Sequence, residues 1–345
     1  MDQCKTPEMQ KLRSVLQCDK LVIPESPQMD KLGYGTGVSV YRMKRSPKVG
    51  MYQSPWAVKR VFHTYMGSTY SERLTSEANI LKKLNHPNIV GFRAFVKAED
   101  GRDCLAMEEC DTSVADLIEM RSEDGLGPFQ AEKILKVALD IGKALDYLHR
   151  VCHLLHGDIK SLNILVKGDF EIVKLCDFGV SVPLNADGVL DTDDADVEYI
   201  GTSNWAAPEA VCSDGPTPIT NKADIFSFGL VLWEMITLRT PHCDESSVEE
   251  VDTSEVAEEG ASDDTSFMSS PDTSVSAMIG LKCGTRPPLP DSPLGEEYIP
   301  VIMLFNSCTE EDFKKRPSAK EIVEQLETLA NWASRYLQQS GEEIT

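Results

Sequence analysis

Eight residues in the middle of the chain, HGDIKSLN at positions 156–163, place an acid, a base and an amide at short spacing. The carboxylate of Asp158 can accept the proton of an attacking hydroxyl group, and the ammonium group of Lys160 can neutralise charge on a phosphate in transfer. The amide oxygen of Asn163 can bind a metal ion. These are the groups that phosphoryl transfer needs, although one short polar segment is weak support by itself.

The tripeptide Asp177-Phe178-Gly179 is of interest because of its position in the chain. An Asp-x-Gly tripeptide is usually only a turn. Here it follows the apolar run 172–175 and comes 14 residues after Asn163. This placement makes Asp177 a candidate site residue.

A glycine-rich run near the N-terminus could bring its backbone close to phosphate groups. We interpret the whole run as nucleotide-binding: Leu32, Gly33, Tyr34, Gly35, Thr36, Gly37, Val38, Ser39 and Val40. Alone, such a run is more often a hairpin turn. The next predicted strand, 56–59, ends at Lys59, whose charge could bind phosphates.

The segment 71–84 is predicted to be a helix, because apolar residues recur in it at steps of three and four residues. These residues are Leu74, Ala78, Leu81 and Leu84. A glutamate on a helix is usually solvated. We nevertheless predict that Glu77 forms an ion pair with Lys59.

The segment 129–149 has the strongest helical pattern and leads directly to residues 156–163. Its apolar face consists of Ile134, Val137, Ala138, Ile141, Leu145 and Leu148. Two short strands are predicted after it, at 164–166 and 172–175. A final amphipathic helix over 319–338 is predicted to turn Ile322, Leu326, Leu329 and Trp332 inward.

The order of these segments resembles the protein kinase family. The catalytic loop of that family has the pattern H-R-D-x-K-x-x-N, and residues 156–163 match it except that Gly157 replaces the arginine. The resemblance implies an α+β, two-lobed protein-kinase fold, with a small antiparallel-sheet N-lobe that carries one key helix and a larger, mainly helical C-lobe. The implied parts are a flexible tail at 1–28, the N-lobe at 29–107, a hinge at 108–112, the C-lobe at 113–338 and a tail at 339–345.

The resemblance also implies roles for individual residues. ATP would contact the glycine-rich run and Ala57, Lys59, Glu77, Met107, Glu108 and Cys110, while Mg²⁺ would be held by Asn163 and Asp177. Asp158 and Lys160 would be catalytic, with Thr202 hydrogen-bonded to both. Structural or regulatory roles would fall to Phe178, Gly179, Thr202, Glu209, Asp224 and Arg316, with Asp224 anchoring the catalytic loop and Arg316 paired with Glu209.

Several segments resemble the MAP-kinase-kinase-like branch of the family more specifically. They are 31–38, 43–47, 54–59, 155–161 and 284–288. This likeness implies a serine/threonine protein kinase that uses ATP and Mg²⁺, acts in mitosis and phosphorylates proteins such as a stress-activated MAP kinase, with dual specificity left open. Two alternatives also stay open: a pseudokinase scaffold that binds nucleotide without turnover, and a tyrosine-directed kinase.

The chain departs from the family pattern in ways that concern activation. The third glycine of the glycine-rich run, Gly37, comes one place early, and Gly157 removes the arginine that usually clamps an activation-loop phosphate. We hypothesise that the activation segment, 180–206, is ordered by its own acids or by phosphorylation outside that clamp. Its acids are Asp191, Asp193, Asp194, Asp196 and Glu198, and its candidate hydroxyl groups are those of Thr192, Tyr199 and Ser203.

The two ends of the chain suggest partners. Thr6-Pro7 and Ser26-Pro27 make Thr6 and Ser26 candidate phosphorylation sites, and a proline-directed mitotic kinase is the predicted partner at Thr6. A PDZ ligand needs serine or threonine two places before an apolar terminal residue. Because the chain ends in Glu343-Ile344-Thr345, we do not expect a PDZ-domain partner.

The net charge of −22 argues against nucleic-acid binding, which needs a basic surface. Much of this charge lies in the segment 244–274, which we predict to be a disordered insertion that serves as a solvated tether or as a site of docking or phosphorylation. The chain has no apolar run long enough to span a membrane and no signal-peptide core at its start. It is therefore expected in the cytoplasm, the nucleus or both.

Overall fold

A computed structural model describes residues 30–35, 38–43, 55–62, 69–191, 199–211, 218–243 and 283–342, with side chains at all of these except 33–35 and 333–342. Several predictions concern residues outside this description: the tail 1–28 with Thr6 and Ser26, the loop residues Thr36 and Gly37, the insertion 244–274, and Glu343-Ile344-Thr345. The chain divides into two compact units.

The first unit contains the described residues up to Leu84 together with Val90–Glu109. It is built on one antiparallel sheet of five strands in the order β1-β2-β3-β5-β4. The strands are β1 (Asp30–Gly35), β2 (Val38–Met43), β3 (Trp56–Val61), β4 (Phe92–Lys97) and β5 (Asp103–Glu108). Val58 and Ala106, which pair across β3 and β5, are fully buried in the core of this sheet. The predicted antiparallel sheet is therefore confirmed.

Helix α1 (Thr69–Leu81) is the one helix that the structure describes in this unit. It confirms the predicted helix 71–84, although the helix ends three residues earlier than predicted. Its buried face consists of Leu74, Glu77, Ala78 and Leu81. Leu84 lies beyond the end of the helix and is half-buried.

The second unit contains Asn85–Ile89 and the described residues from Cys110 onward, and it is mainly helical. Its helices are α2 (Val114–Glu123), α3 (Ala131–Tyr147), α4 (Pro208–Val211), α5 (Lys222–Thr237), α6 (Ile299–Cys308) and α7 (Ala319–Glu342). All six apolar residues predicted to form the inner face of the helix at 129–149 are fully buried. Helix α5 is buried at every position from 223 to 236, so it forms the core of the unit.

Short strands frame the residues that could do chemistry. They are β6 (Thr112–Ser113), β7 (Leu154–Leu155), β8 (Ile164–Lys167), β9 (Ile172–Leu175) and β10 (Val182–Pro183), paired in the orders β6-β8-β9 and β10-β7. The two predicted strands at 164–166 and 172–175 are confirmed. Residues 156–163 consequently connect β7 to β8, and Asp177 follows directly after β9.

The short segment Asn85–Ile89 belongs to the second unit, although the sequence prediction treated 29–107 as one continuous lobe. Asn88 donates through Nδ2 to the carbonyl of Val173 at 2.9 Å, and the N–H of Leu175 donates to the carbonyl of Asn88 at 2.9 Å. Hydrogen bonds to β9 therefore decide where this segment packs.

Helix α7 does not pack as predicted at Trp332. Ile322 and Leu326 are buried, as predicted, and Leu329 is half-buried. The prediction that Trp332 points inward is wrong, since 62% of this residue is exposed. The buried face of α7 lies around Ile322 and Leu326, and Trp332 comes more than a turn after it. None of the described helices is both long enough and apolar enough to span a membrane.

Candidate active site

In the first unit, Lys59 and Glu77 form the predicted ion pair, with Nζ 2.9 Å from Oε2. Lys59 lies in the central strand β3, and Glu77 lies on the buried face of α1. Their side chains keep only 10% and 2% of their exposure. Because both charges are largely removed from water, the attraction between them offsets part of the cost of their burial.

The other predicted nucleotide-binding residues of this unit lie along the same sheet. Ala57 in β3 pairs in register with Met107 in β5, and both are buried. The N–H of Glu108 donates to the carbonyl of Gly91 at 2.8 Å, so it is already used within the unit. Leu32 is exposed, Val38 and Ser39 are buried, Val40 is half-buried, and Gly33, Tyr34 and Gly35 belong to the backbone of β1. Cys110, which belongs to the second unit, is buried.

In the second unit, Asp158, Lys160 and Thr202 form a closed hydrogen-bonded group. Thr202 donates through Oγ1 to Oδ1 of Asp158 at 2.6 Å, and Lys160 donates through Nζ to Oγ1 of Thr202 at 2.9 Å. Nζ of Lys160 also lies 2.8 Å from Oδ2 of Asp158. The side chains of Lys160 and Asp158 keep 18% and 15% exposure, so both remain partly accessible to a substrate.

Asp224, in the first turn of α5, holds the backbone that leads to Asp158. Its carboxylate accepts hydrogen bonds from the N–H groups of His156 and Gly157, both at 2.9 Å, and from Nε2 of His149 at 2.8 Å. Burial alone would raise the pKa of Asp224, but the hydrogen bond and charge of His149, with the bond from Gly157, lower it below its ordinary value. The carboxylate is therefore stabilised in its ionised form.

The backbone at Gly157 favours glycine. Its φ is +79°, in the left-handed region that residues with a side chain rarely adopt. A Cβ at this position would also lie 3.2 Å from the carbonyl oxygen of Val180, which is a tight contact. Local geometry thus gives a physical reason for the glycine that stands where the kinase pattern has arginine.

Glu209 and Arg316 form the predicted pair in a bidentate arrangement. Nη1 and Nη2 of Arg316 lie 2.7 and 2.8 Å from the two carboxylate oxygens of Glu209. The side chains keep 0% and 3% exposure, and the guanidinium group stacks over Phe226 at 4.9 Å from the ring centroid. The pair ties α4, at the end of the activation segment, to the segment that precedes α7.

Comparison with known families gives this geometry a context. A family model described as the protein kinase domain matches residues 27–326 of the chain. The chain belongs to the protein kinase family. The match and the two units, one built on an antiparallel sheet and one mainly helical, together confirm the predicted two-lobed kinase fold.

Individual relatives narrow the class of kinase. The human lymphokine-activated killer T-cell-originated protein kinase, also called PDZ-binding kinase, is 49% identical over 331 residues, which cover 94% of this kinase and 97% of the relative. Two serine/threonine-protein kinases of Arabidopsis thaliana are each 28% identical to this chain, STY17 over 257 residues and STY46 over 276 residues. These alignments cover 74% and 79% of this kinase but only 37% and 40% of the plant relatives. The chain is thus placed among the serine/threonine protein kinases.

The predicted metal ligands lie close together along the backbone of this kinase. The N–H of Cys176 donates to the carbonyl of Asn163 at 3.0 Å, and Asp177 is the next residue. Nδ2 of Asn163 donates to the carbonyl of Asp158 at 2.8 Å, which turns the amide oxygen of Asn163 away from that carbonyl. Asp177 has a φ of +65°, a strained value for a residue with a side chain.

The donor set of Asn163 and Asp177 fits Mg²⁺. Within the described residues, no group of three or more His, Cys, Asp and Glu residues could hold a metal ion. Mg²⁺ commonly binds one or two protein oxygens and takes its remaining ligands from substrate phosphates and water. One carboxylate and one amide oxygen therefore suit a Mg²⁺ ion that is bound together with a nucleotide.

Sequence reasoning missed one residue of this site, Glu234 in α5. Its Oε1 accepts a hydrogen bond from the hydroxyl of Ser161 at 2.7 Å, and its Oε2 accepts one from Nε1 of Trp205 at 2.8 Å. Burial raises the pKa of Glu234 to about 7, against the smaller opposing effect of these two hydrogen bonds. Glu234 thereby connects the catalytic loop to the end of the activation segment.

A pattern in α5 could have revealed Glu234. Asp224, Ser227 and Glu234 are spaced by three and seven residues and so share one face of a helix that is otherwise almost entirely apolar. The hydroxyl of Ser227 donates to the carbonyl of Trp205 at 2.7 Å. The polar face of α5 therefore supports both the catalytic loop and the activation segment.

Proposed function

We propose that this kinase is catalytically active, that it transfers the γ-phosphoryl group of ATP in the presence of Mg²⁺ to serine or threonine hydroxyls of proteins, and that it acts as a MAP-kinase-kinase-like enzyme. The observation that carries the proposal is the hydrogen-bonded group of Asp158, Lys160 and Thr202. An inactive scaffold has no need of a base and a cation at this spacing, whereas phosphoryl transfer uses both.

The proposed mechanism assigns one task to each side chain. Asp158 orients the acceptor hydroxyl and takes its proton as the oxygen attacks the γ-phosphorus. Lys160 neutralises charge that develops on the transferred group. Because the transition state of phosphoryl transfer is loose, positioning and charge neutralisation account for most of the catalysis.

Nucleotide binding falls to the remaining groups. Lys59, oriented by Glu77, would contact the α- and β-phosphates, and the strand residues Ala57 and Met107 would border the adenine. Mg²⁺, held by Asn163 and Asp177, would neutralise charge on the phosphates. We therefore expect removal of divalent cations by a chelator to abolish transfer.

The more specific part of the proposal concerns the protein substrate, the stage of the cell cycle and the location in the cell. The 49% identity to the human relative and the MAP-kinase-kinase-like segments support a role toward a stress-activated MAP kinase during mitosis. Location in the cytoplasm or nucleus, and phosphorylation of Thr6 by a proline-directed kinase, belong to the same proposal. The contacts of Lys160 and Thr202 with Asp158 favour serine and threonine as acceptors.

Transfer from radioactive ATP to a generic basic protein tests the activity, with Lys59→Met as the control. We expect label on the acceptor with the wild-type enzyme and none with the variant. Phosphoamino-acid analysis should find phosphoserine and phosphothreonine. Phosphotyrosine alone would contradict the proposed specificity, and equal label with both enzymes would contradict the assignment of Lys59.

The MAP-kinase-kinase-like role needs a substrate comparison. We expect a catalytically dead stress-activated MAP kinase to be phosphorylated with a higher kcat/KM than the generic basic protein. Mapping the labelled residues on that MAP kinase would show whether tyrosine is modified as well as threonine. Equal kcat/KM values for the two proteins would contradict the MAP-kinase-kinase-like part of the proposal.

A further inference from the structure

Tyr199 lies three residues before Thr202, where the described part of the activation segment resumes. The residue as a whole is half-buried, and the hydroxyl end of its ring is packed against Gly201. Burial raises the pKa of this phenol well above its usual range, and the carboxylates of Asp224, Asp158 and Glu209 raise it further. The hydroxyl group therefore stays protonated beside the carboxylates that support catalysis.

Glycine at position 201 provides the space for the phenol. A Cβ added to Gly201 would lie 2.7 Å from Cζ of Tyr199 and 2.8 Å from the carbonyl oxygen of Gly157, and closer still to Oη of Tyr199. Real Cβ atoms essentially never come so close to other heavy atoms. Any side chain at 201 would consequently displace the phenol, the catalytic-loop backbone or both.

The residues on the other side of Thr202 are held by different contacts. Nε1 of Trp205 donates to Glu234 at 2.8 Å, and the hydroxyl of Ser227 donates to the carbonyl of Trp205 at 2.7 Å. The segment after Thr202 is therefore attached to helix α5, whereas the segment before it packs through the phenol of Tyr199.

We propose that Tyr199 is a positioning residue for phosphoryl transfer: its enclosed phenol holds the backbone before Thr202 so that Oγ1 of Thr202 keeps its hydrogen bonds to Asp158 and Lys160. This inference rests on the proposed function, because it concerns the contacts of the proposed catalytic base. The alternative is that Tyr199 only fills space. In that case, loss of its ring would lower stability and leave kcat of the folded enzyme unchanged.

The position of Tyr199 also revises its status as a candidate phosphorylation site. A phosphate on this hydroxyl would place further negative charge among the carboxylates of Asp224, Asp158 and Glu209, which is unfavourable. Ser203, by contrast, is exposed. In this conformation the side chain of Ser203 is more accessible for phosphorylation than that of Tyr199, while Thr192 lies outside the described residues.

The test compares kcat and KM for ATP in Tyr199→Ala and Tyr199→Phe. Thermal unfolding gives the folded fraction of each variant, and kcat is calculated per folded molecule. We expect Tyr199→Ala to lower kcat by roughly tenfold to a hundredfold with little change in KM, since a small displacement of a positioning contact is costly. Tyr199→Phe keeps the ring and should retain kcat to within about threefold. Gly201→Ala should behave like Tyr199→Ala, and it serves as the second variant if Tyr199→Ala does not fold.

Tyr298→Phe is a matched control, since it also removes one phenol hydroxyl, which here donates to the carbonyl of Phe129 at 2.7 Å. It should leave kcat unchanged. In a Thr202→Ala background, Tyr199→Ala should alter kcat by less than about twofold, because the contact that it supports is already lost. A fully multiplicative effect in that background, or a wild-type kcat in Tyr199→Ala, would overturn the inference.

Hydrogen exchange of the peptide 199–205 provides a measurement that does not depend on turnover. We expect faster exchange in Tyr199→Ala than in Tyr199→Phe, and equal exchange in the two variants would count against the inference. If the wild-type enzyme transferred no phosphate, the proposed function would fail and the exchange rates would still decide the role of the phenol. If the wild-type enzyme and Tyr199→Ala were equally active, the inference alone would fail.

Discussion

The Lys59–Glu77 pair and the Asp158–Lys160 pair join the same kinds of charge in different surroundings. The side chains of Lys59 and Glu77 keep 10% and 2% exposure, whereas those of Lys160 and Asp158 keep 18% and 15%. The second pair also shares its hydrogen bonds with Thr202. The first pair therefore lies almost wholly out of water, whereas the second belongs to a hydrogen-bonded group with partial access to water.

This contrast separates stability from turnover. Asp224 holds the catalytic loop through its backbone, because its carboxylate accepts hydrogen bonds from the N–H groups of His156 and Gly157. The side chain of Asp158 is left accessible. In the first unit, the ion pair itself is buried. Substitutions at Lys59 should consequently disturb stability and turnover together, whereas substitutions at Asp158 should disturb mainly turnover.

The largest effect on stability is expected at Lys59. Lys59→Met removes the positive charge that lies 2.9 Å from the buried carboxylate of Glu77 and should lower the free energy of unfolding by about 3–5 kcal/mol. The double variant Lys59→Met/Glu77→Leu should recover most of this loss, because apolar residues replace both charges, but it should not recover turnover. Urea unfolding and phosphate transfer measured on the same preparations check both statements. A single variant as stable as the wild type would contradict the contrast.

A smaller, pH-dependent effect is expected at Glu234, whose pKa burial raises to about 7. Its folded-state pKa exceeds its ordinary value of 4.5, so the folded protein binds the extra proton and loses stability as pH rises from about 4.5 to about 7. Glu234→Gln stays neutral and can still accept from Trp205 and donate to Ser161.

Unfolding free energies of the wild type and Glu234→Gln across this pH range provide the measurement. The wild type should lose a few kcal/mol relative to the variant between these pH values. Parallel pH profiles for the two proteins would show that Glu234 does not titrate in this window.

The smallest effect is expected at an ion pair of the first unit whose lysine is exposed. Nζ of Lys97 lies 2.8 Å from Oδ1 of Asp103, and the side chain of Lys97 is 69% exposed. Lys97→Ala should lower the free energy of unfolding by less than about 1 kcal/mol and leave kcat unchanged. Thermal unfolding of this variant beside Lys59→Met compares the loss of an exposed lysine with the loss of a buried one. A loss as large as that of Lys59→Met would show that burial does not determine the difference.

Local patterns in the sequence were sufficient for much of this structure. The apolar residues at steps of three and four identified α3 and its buried face, and the same spacing placed Glu77 on the inner side of α1. The pairing of Lys59 with Glu77 then followed from a strand and a helix in the order typical of kinases. Such features depend on residues that are close together in the sequence, so a single sequence is enough to predict them.

Contacts between distant segments could not be obtained in this way. Ser161 and Glu234 are 73 positions apart, and no local pattern shows that a glutamate in α5 meets a serine of the catalytic loop. The enclosed phenol of Tyr199 depends on the absence of a side chain at Gly201, which is visible only in three dimensions. Trp332 was misjudged because periodicity alone does not show where the surface beneath a helix ends.

The most direct test of the central claim is the single-turnover rate of Asp158→Asn with ATP bound. We expect ATP affinity to stay within about twofold, since Asp158 is not among the proposed nucleotide contacts. The rate of phosphate transfer should fall by at least about a hundredfold, because the general base is lost. A wild-type rate in this variant would contradict the account.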